Sequence, residues 1–171
     1  DRILVSRTLE EKIKKAIISE DMIADEASPE LAEIRRKIRN TNNKIKDTLQ
    51  SFVGGNKIKY LQENIVTMRN GRYVVPVKAE YKNEMKGLVH DTSSSGATLF
   101  IEPMAVVEAN NELKSLAAAE EHEIERILAE LSGMAGEFED TIKISFESAT
   151  MLDLHFAKAH LAYKMKASRP I

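Results

Sequence analysis

Cysteine and tryptophan are both missing from this chain of 171 residues, and aromatics amount to 5%. Without Cys there is no disulfide, no thiolate nucleophile and no cysteine metal site, and the composition suits a reducing, intracellular setting. Scarce aromatics in a chain rich in Ala, Glu, Lys, Leu and Arg favour long helices over a compact enzyme core. No apolar run approaches the roughly 20 residues that a membrane span requires. No signal peptide opens the chain, and Asp1-Arg2-Ile3 reads as a cut made inside a longer protein. A phosphate loop is also missing. The nearest glycine cluster, Gly54-Gly55-Asn56-Lys57, lacks both the spacing and the strand-to-helix context, so no nucleotide binding is expected from this chain on its own.

Charge is plentiful, at 30% of residues with a net of −2, but it is segregated. Residues 35–86 hold thirteen Lys or Arg against four acids, and residues 102–140 hold eleven acids against Lys114 and Arg126. Such segments either neutralise one another side by side, or the basic one meets a polyanion.

The hydrophobic pattern predicts a short amphipathic helix over 8–18, carrying Leu9, Ile13, Ala16 and Ile17 with Thr8 as cap, then an acidic, irregular stretch over 19–27. Ser28 as cap, Pro29 in the first turn and Glu30 at the positive end of the dipole open a long helix. Its seam, Leu31, Ile34, Ile38, Ile45, Leu49 and Phe52, is close to a heptad interrupted by Thr41 and Asn42, and suits a coiled-coil-like pair. Gly54-Gly55-Asn56 should end it. Asn70-Gly71 between 65–68 and 73–77 is a strong hairpin signal. Residues 57–101 read as three or four short antiparallel strands in all, with the Pro76 strand at an edge or bulged there. Glu102-Pro103 should start a second long helix with a seam of Val106, Leu113, Ala117, Ile124, Ile127 and Leu131, stopping at Ser132-Gly133. A last helix near 137–166 has a wider apolar face (Phe138, Ile142, Phe146, Ala149, Leu152, Phe156 and Tyr163) suited to packing on the first short one. The fold class is therefore mainly α with a small β insertion: a long antiparallel helix pair on a helical base, with an antiparallel β unit at its tip.

Catalytic constellations are weak. His90, Asp91 and Ser93 to Ser95 suggest a hydrolase, but neighbours on one extended strand project to opposite faces, and Ser-Ser-Ser-Gly is ordinary turn chemistry. His155 and His160 lie five apart on a helix and so on different faces, a poor metal pair. His122 sits among Glu120, Glu121, Glu123 and Glu125 on what reads as a solvated face, able to pair with Arg35, Arg36 and Arg39. Asp153, beside the apolar stripe of the last helix, reads as a structural carboxylate. The remaining chemistry is a basic arm: Lys57, Lys59, Arg69, Arg72, Lys78, Lys82 and Lys86, with Tyr60, Tyr73 and Tyr81 interleaved. Lys and Arg neutralise phosphates and Tyr stacks on bases or sugars. The competing explanation is an edge-protected sheet, since Lys on edge strands blocks aggregation.

Residues 67–82 (TMRNGRYVVPVKAEYK) and 87–103 (GLVHDTSSSGATLFIEP) resemble the middle of the bacterial MutS-II family, paralogues of the mismatch-repair protein MutS. DEASPEL at 25–31, NNEL at 110–113 and LDLHFA at 152–157 add to the match, which runs from about residue 8 to the end. The resemblance implies a helical core (1–28 and 134–171), lever helices (29–56 and 104–133) and a clamp (57–101). It further implies a full-length, cytoplasmic homodimer with an ATPase that uses ATP and Mg2+, and a C-terminal Smr endonuclease domain, both outside this chain. This segment itself is expected to hold no cofactor or metal and to be no enzyme. The family is linked to branched DNA and recombination control, and to splitting stalled ribosomes. DNA and ribosomal RNA are thus the implied partners, with Lys57, Lys59, Arg69, Arg72, Tyr73, Lys78, Lys82 and Lys86 as contacts. A structural dimerisation or spacer module with no nucleic-acid contact is the alternative.

Overall fold

In a computed structural model, residue 3 and residues 5–167 are described. Asp1, Arg2 and the last residues of the expected base lie outside them. The chain is mainly α with two small antiparallel sheets, and it divides into two compact units: 1–27 with 125–171, and 28–124.

In the first unit, helix α1 (Arg7–Ala16) is capped by Ser6, whose Oγ accepts from Leu9 N–H, two residues earlier than the cap expected at Thr8. The helix ends two residues sooner than expected, and Ile17 and Ile18 join the stretch expected to be irregular in a hairpin of β1 (Ile17–Ser19) and β2 (Met22–Ile23), followed by a 3-10 turn, Asp25–Ala27. Apolar, mostly β-branched residues on either side of Glu20-Asp21 are enough to close it. Lys12 and Arg126 both reach Glu130, and the Lys12 hydrogen bond, the leading cause, holds that carboxyl below its ordinary range.

The second unit opens with α2 (Pro29–Gly54). Ser28 caps it, its Oγ accepting from Leu31 N–H at 3.0 Å while donating to Glu123 Oε1 at 2.7 Å. Helix α3 (Val107–Glu137) runs antiparallel to α2 here, with Ser28 meeting Glu123 and Arg35 pairing with Glu120 at 2.7 Å. Ile45, Leu49 and Val53 bury the tip-proximal face of α2; Val53 takes the position expected of Phe52, which packs at the margin. Thr41 is buried, and so are Asn110 and Glu123 of α3, so the facing surfaces mix apolar and polar side chains.

Helix α3 starts and stops later than its sequence suggests. Glu102 and Pro103 belong to a strand, and a 3-10 turn, Met104–Val106, precedes the helix. The cause is the Glu102 carboxylate, drawn into the sheet by three partners described below. At the far end α3 passes through Gly133 and Gly136, because single glycines cost a helix only about 1 kcal/mol each. Helix α4 (Glu139–Met165) has Phe138, Thr141 and Ile142 beside α1, but Phe146, Phe156 and Tyr163 are exposed. Asp153 is exposed too.

Strands β3 (Thr67–Arg69), β4 (Arg72–Lys78), β5 (Gly87–Thr92) and β6 (Thr98–Pro103) form an antiparallel sheet in the order β3-β4-β6-β5. Val75, Val77 and Ile101 pack against Ile45, Leu49 and Val53 of α2, with Leu61, Met85 and Val106 closing the core. Pro76 lies where β3 has already ended. On that side its carbonyl accepts only from Gln62 N–H, so the missing N–H faces no ladder. Asn70 (φ 53°) and Gly71 (φ 73°) make the two-residue turn the sequence predicts.

Candidate nucleic-acid interface

Register assigns the sheet two faces. Val75, Val77 and Ile101 face α2, whereas Arg72, Pro76, Lys78, Thr98, Phe100 and Glu102 alternate onto the opposite face. Strand β5 would follow the same alternation but for a bulge: Val89 pairs with Ile101 and Asp91 with Phe100, leaving His90 extra. Consecutive residues therefore serve one face. His90 Nε2 meets Glu102 Oε2 at 2.5 Å and Asp91 pairs with Arg69 at 3.3 Å. The expectation that His90 and Asp91 point apart is corrected by that single inserted residue.

Glu102 is fully buried and is the hub of this face. Arg72 Nη1 donates to both of its oxygens at 2.7 and 3.0 Å, and Asn110 Nδ2 donates to Oε1 at 2.7 Å. Asn110 also accepts from Tyr73 N–H and donates to Tyr73 C=O, both at 3.2 Å, splicing the start of α3 onto β4. Arg72 Nη2 further donates to Asn111 Oδ1, and Asn70 Nδ2 to His90 C=O. Among the described residues no buried side-chain nitrogen or oxygen lacks a hydrogen bond. A carboxylate removed from water requires such compensation.

This hub was not read from the sequence. The available signal was Asn110, four residues after Val106, at a position where a buried helical face calls for an apolar side chain. The serines make a turn: Gly96 N–H donates to Ser93 C=O, and Ser93 Oγ accepts from Thr98 N–H.

The basic residues fall into two groups. Arg72 and Tyr73 are turned into the fold, Arg72 onto Glu102 and the Tyr73 hydroxyl onto Asn42 Oδ1 at 2.9 Å. The others stand outward. Lys57 lies 4.4 Å from the Phe52 ring centroid and Lys59 4.9 Å from that of Tyr60, while Lys78 Nζ donates to Lys59 C=O at 3.3 Å. Tyr60 pairs with Tyr81. Lys82 and Lys86 are exposed and form no ion pair among the described residues. Arg69 lies over the Phe100 ring, 4.0 Å from its centroid, and remains partly exposed. The unit thus presents Lys57, Lys59, Arg69, Lys78, Lys82 and Lys86 outward, all from the sheet and the turns around it. Four exposed acids share residues 57–101, Glu63, Glu80, Glu84 and Asp91, the last paired with Arg69.

No family model matches the chain. Individual proteins do, over nearly its whole length. It is 53% identical over 169 residues, 99% of this chain, to the endonuclease MutS2 of Caldanaerobacter subterraneus subsp. tengcongensis. The same coverage at 50% identity relates it to endonuclease MutS2 of Clostridium perfringens strain SM101, and 97% coverage at 49% to that of Acetivibrio thermocellus. The chain belongs to the MutS2 family. It spans about a fifth of the length of the curated relatives it matches, 21% in each of these three. The two stretches that carried the resemblance, 67–82 and 87–103, are the β3–β4 hairpin with its following turn and the β5–β6 hairpin. In this MutS2 segment they join at Glu102. No helix among the described residues is long and apolar enough to cross a membrane.

Proposed function

We propose that this segment is the non-catalytic, nucleic-acid-gripping part of a MutS-like ATPase. In this reading the sheet is a clamp carried on the α2–α3 lever pair. The observation that carries the reading is the outward set Lys57, Lys59, Arg69, Lys78, Lys82 and Lys86, gathered on the sheet and the turns around it, where the buried acid Glu102 is already neutralised from within and Asp91 is paired with Arg69. The relatives are named endonucleases, which favours a nucleic-acid partner. The full-length protein, by this proposal, is a cytoplasmic homodimer that binds ATP and Mg2+ outside this segment, and its clamp closes on branched DNA or on ribosomal RNA.

Counterion release provides the test. Affinity for a duplex should fall linearly with salt on logarithmic axes, with a slope near 0.9 per phosphate neutralised. Charge reversal at Lys59, Lys78 and Lys82 should flatten that slope by about three and leave the fold intact. Arg72 is left in place because it holds Glu102. Unchanged binding in the triple variant, or no salt-sensitive binding to DNA or RNA, overturns the clamp reading in favour of a spacer module. Crosslinking of the full-length protein in cells separates DNA from ribosomal RNA.

A further inference from the structure

The sheet face that bears Arg69 also holds a pocket of about 270 Å3. Phe100 and Pro76, cross-strand partners on β6 and β4, give it an apolar wall, and Ser93 and Thr98 add hydroxyls. Its charged members are one base, Arg69, and one acid, Glu63, with Asp91 close behind through its pair with Arg69. The two carboxylates disfavour a phosphate inside the pocket. A flat, neutral group with hydrogen-bonding edges meets no such penalty, and an aromatic wall with a polar rim is what such a group requires.

One flat group already lies there. The Arg69 guanidinium covers the Phe100 ring at 4.0 Å, held otherwise by Asp91 at 3.3 Å, Thr67 Oγ1 at 3.3 Å and Met68 C=O at 2.9 Å. The ion pair and the Met68 contact face solvent, the Thr67 contact is only partly buried, and each is of small individual strength, so the guanidinium can leave. We infer that the pocket takes one unpaired nucleobase, which replaces Arg69 on Phe100 while the released guanidinium pairs with that nucleotide's own phosphate. Lys78, directly opposite Thr98 in register, extends the phosphate path beyond the pocket. The inference rests on the nucleic-acid reading above and adds a preference to it: the face favours strands with an unpaired position over continuous duplex.

The test uses the 171-residue chain and four fluorescent probes. One DNA duplex carries a single unpaired 2-aminopurine, the second has the same base fully paired, and the third and fourth are the RNA counterparts of these two. Base stacking on an aromatic ring predicts about fivefold or greater preference for the unpaired probe, with a change in its fluorescence. Preference within the DNA pair or within the RNA pair supports the pocket and identifies which strand it takes. Phe100→Leu should remove the preference and leave the paired duplex bound as before. Should that variant melt early, the isosteric Thr98→Val, which removes one rim hydroxyl, should reduce the preference instead. Equal affinity for paired and unpaired probes overturns the pocket while leaving phosphate gripping in place. Loss of all salt-sensitive binding overturns the gripping reading itself.

Discussion

At the scale of single residues, the most consequential side chain is Glu102, which binds Arg72, His90 and Asn110 with no exposure of its own. Removing one partner of a buried pair leaves a charge uncompensated, and Arg72→Ala should cost about 3 kcal/mol or more in urea denaturation. Lys82→Ala, on the same unit but exposed, should stay within about 0.5 kcal/mol. The contrast separates a basic residue that holds the fold from one available to a partner, and the sequence does not distinguish the two. Both are cations on a β segment, and only the burial of Glu102 thirty residues later divides them. Gly87 makes a second prediction. A Cβ there would lie 2.2 Å from the Glu102 carbonyl oxygen and 2.7 Å from Ile101 Cγ2. Gly87→Ala should therefore destabilise by about 2 kcal/mol in the same assay, through overpacking of the added methyl group against the Glu102 backbone and the Ile101 side chain.

At the scale of elements, the cap that opens α2 is legible, whereas the cap of α1 falls at Ser6 and not at Thr8, and boundaries set by tertiary contacts are not legible. Ser28-Pro29-Glu30 announces α2 in the sequence, and Ser28 does cap it. Ser28→Ala should lower stability by about 1 kcal/mol or slightly more, since the hydroxyl also serves Glu123. Repeating the measurement in Glu123→Gln gives the coupling between the two roles. The start of α3 was misplaced because Glu102-Pro103 looks like a helical first turn locally, yet the carboxylate is worth more inside the sheet. Its end was misplaced because Gly133 carries no signal of whether a helix continues through it. The Lys12–Glu130 contact adds a pH effect in the other unit. Its depressed carboxyl contributes stability above the unfolded value, lost as pH falls through the folded one, and exposure keeps the contribution small.

At the scale of the whole chain, the segregated charge was the strongest guide. Part of it is neutralised internally, as in Arg35 with Glu120 and Arg72 with Glu102, while Lys57, Lys59, Arg69, Lys78, Lys82 and Lys86 stand outward on the sheet and the turns around it. The fold class and the β3–β4 and β5–β6 hairpins are readable; the β1–β2 hairpin and the division of the basic residues between hub and surface are not. The apolar face of helix α4 predicts packing on α1; among the described residues Phe138, Thr141 and Ile142 line a pocket with α1, whereas every residue from 149 to 165 is exposed. Phe146 and Phe156 are each 72% exposed. The chain should accordingly bind an apolar dye such as anilinonaphthalene sulfonate, and Phe146→Lys with Phe156→Lys should cut that fluorescence by about half without altering the melting temperature.

The extra residue in β5 also governs where the chain can change length. Between Gly87 and Thr92 six residues face the five from Leu99 to Pro103. Deleting any one of the six would regularise the ladder and so look harmless, yet it would leave His90 and Asp91, or whatever replaced them, unable to reach Glu102 and Arg69 from one side. Insertions in the serine turn at 93–96 lengthen only a surface loop. Among homologues, gaps should therefore collect in that turn, while the residue count from Gly87 to Thr92 should be as constant as any side chain.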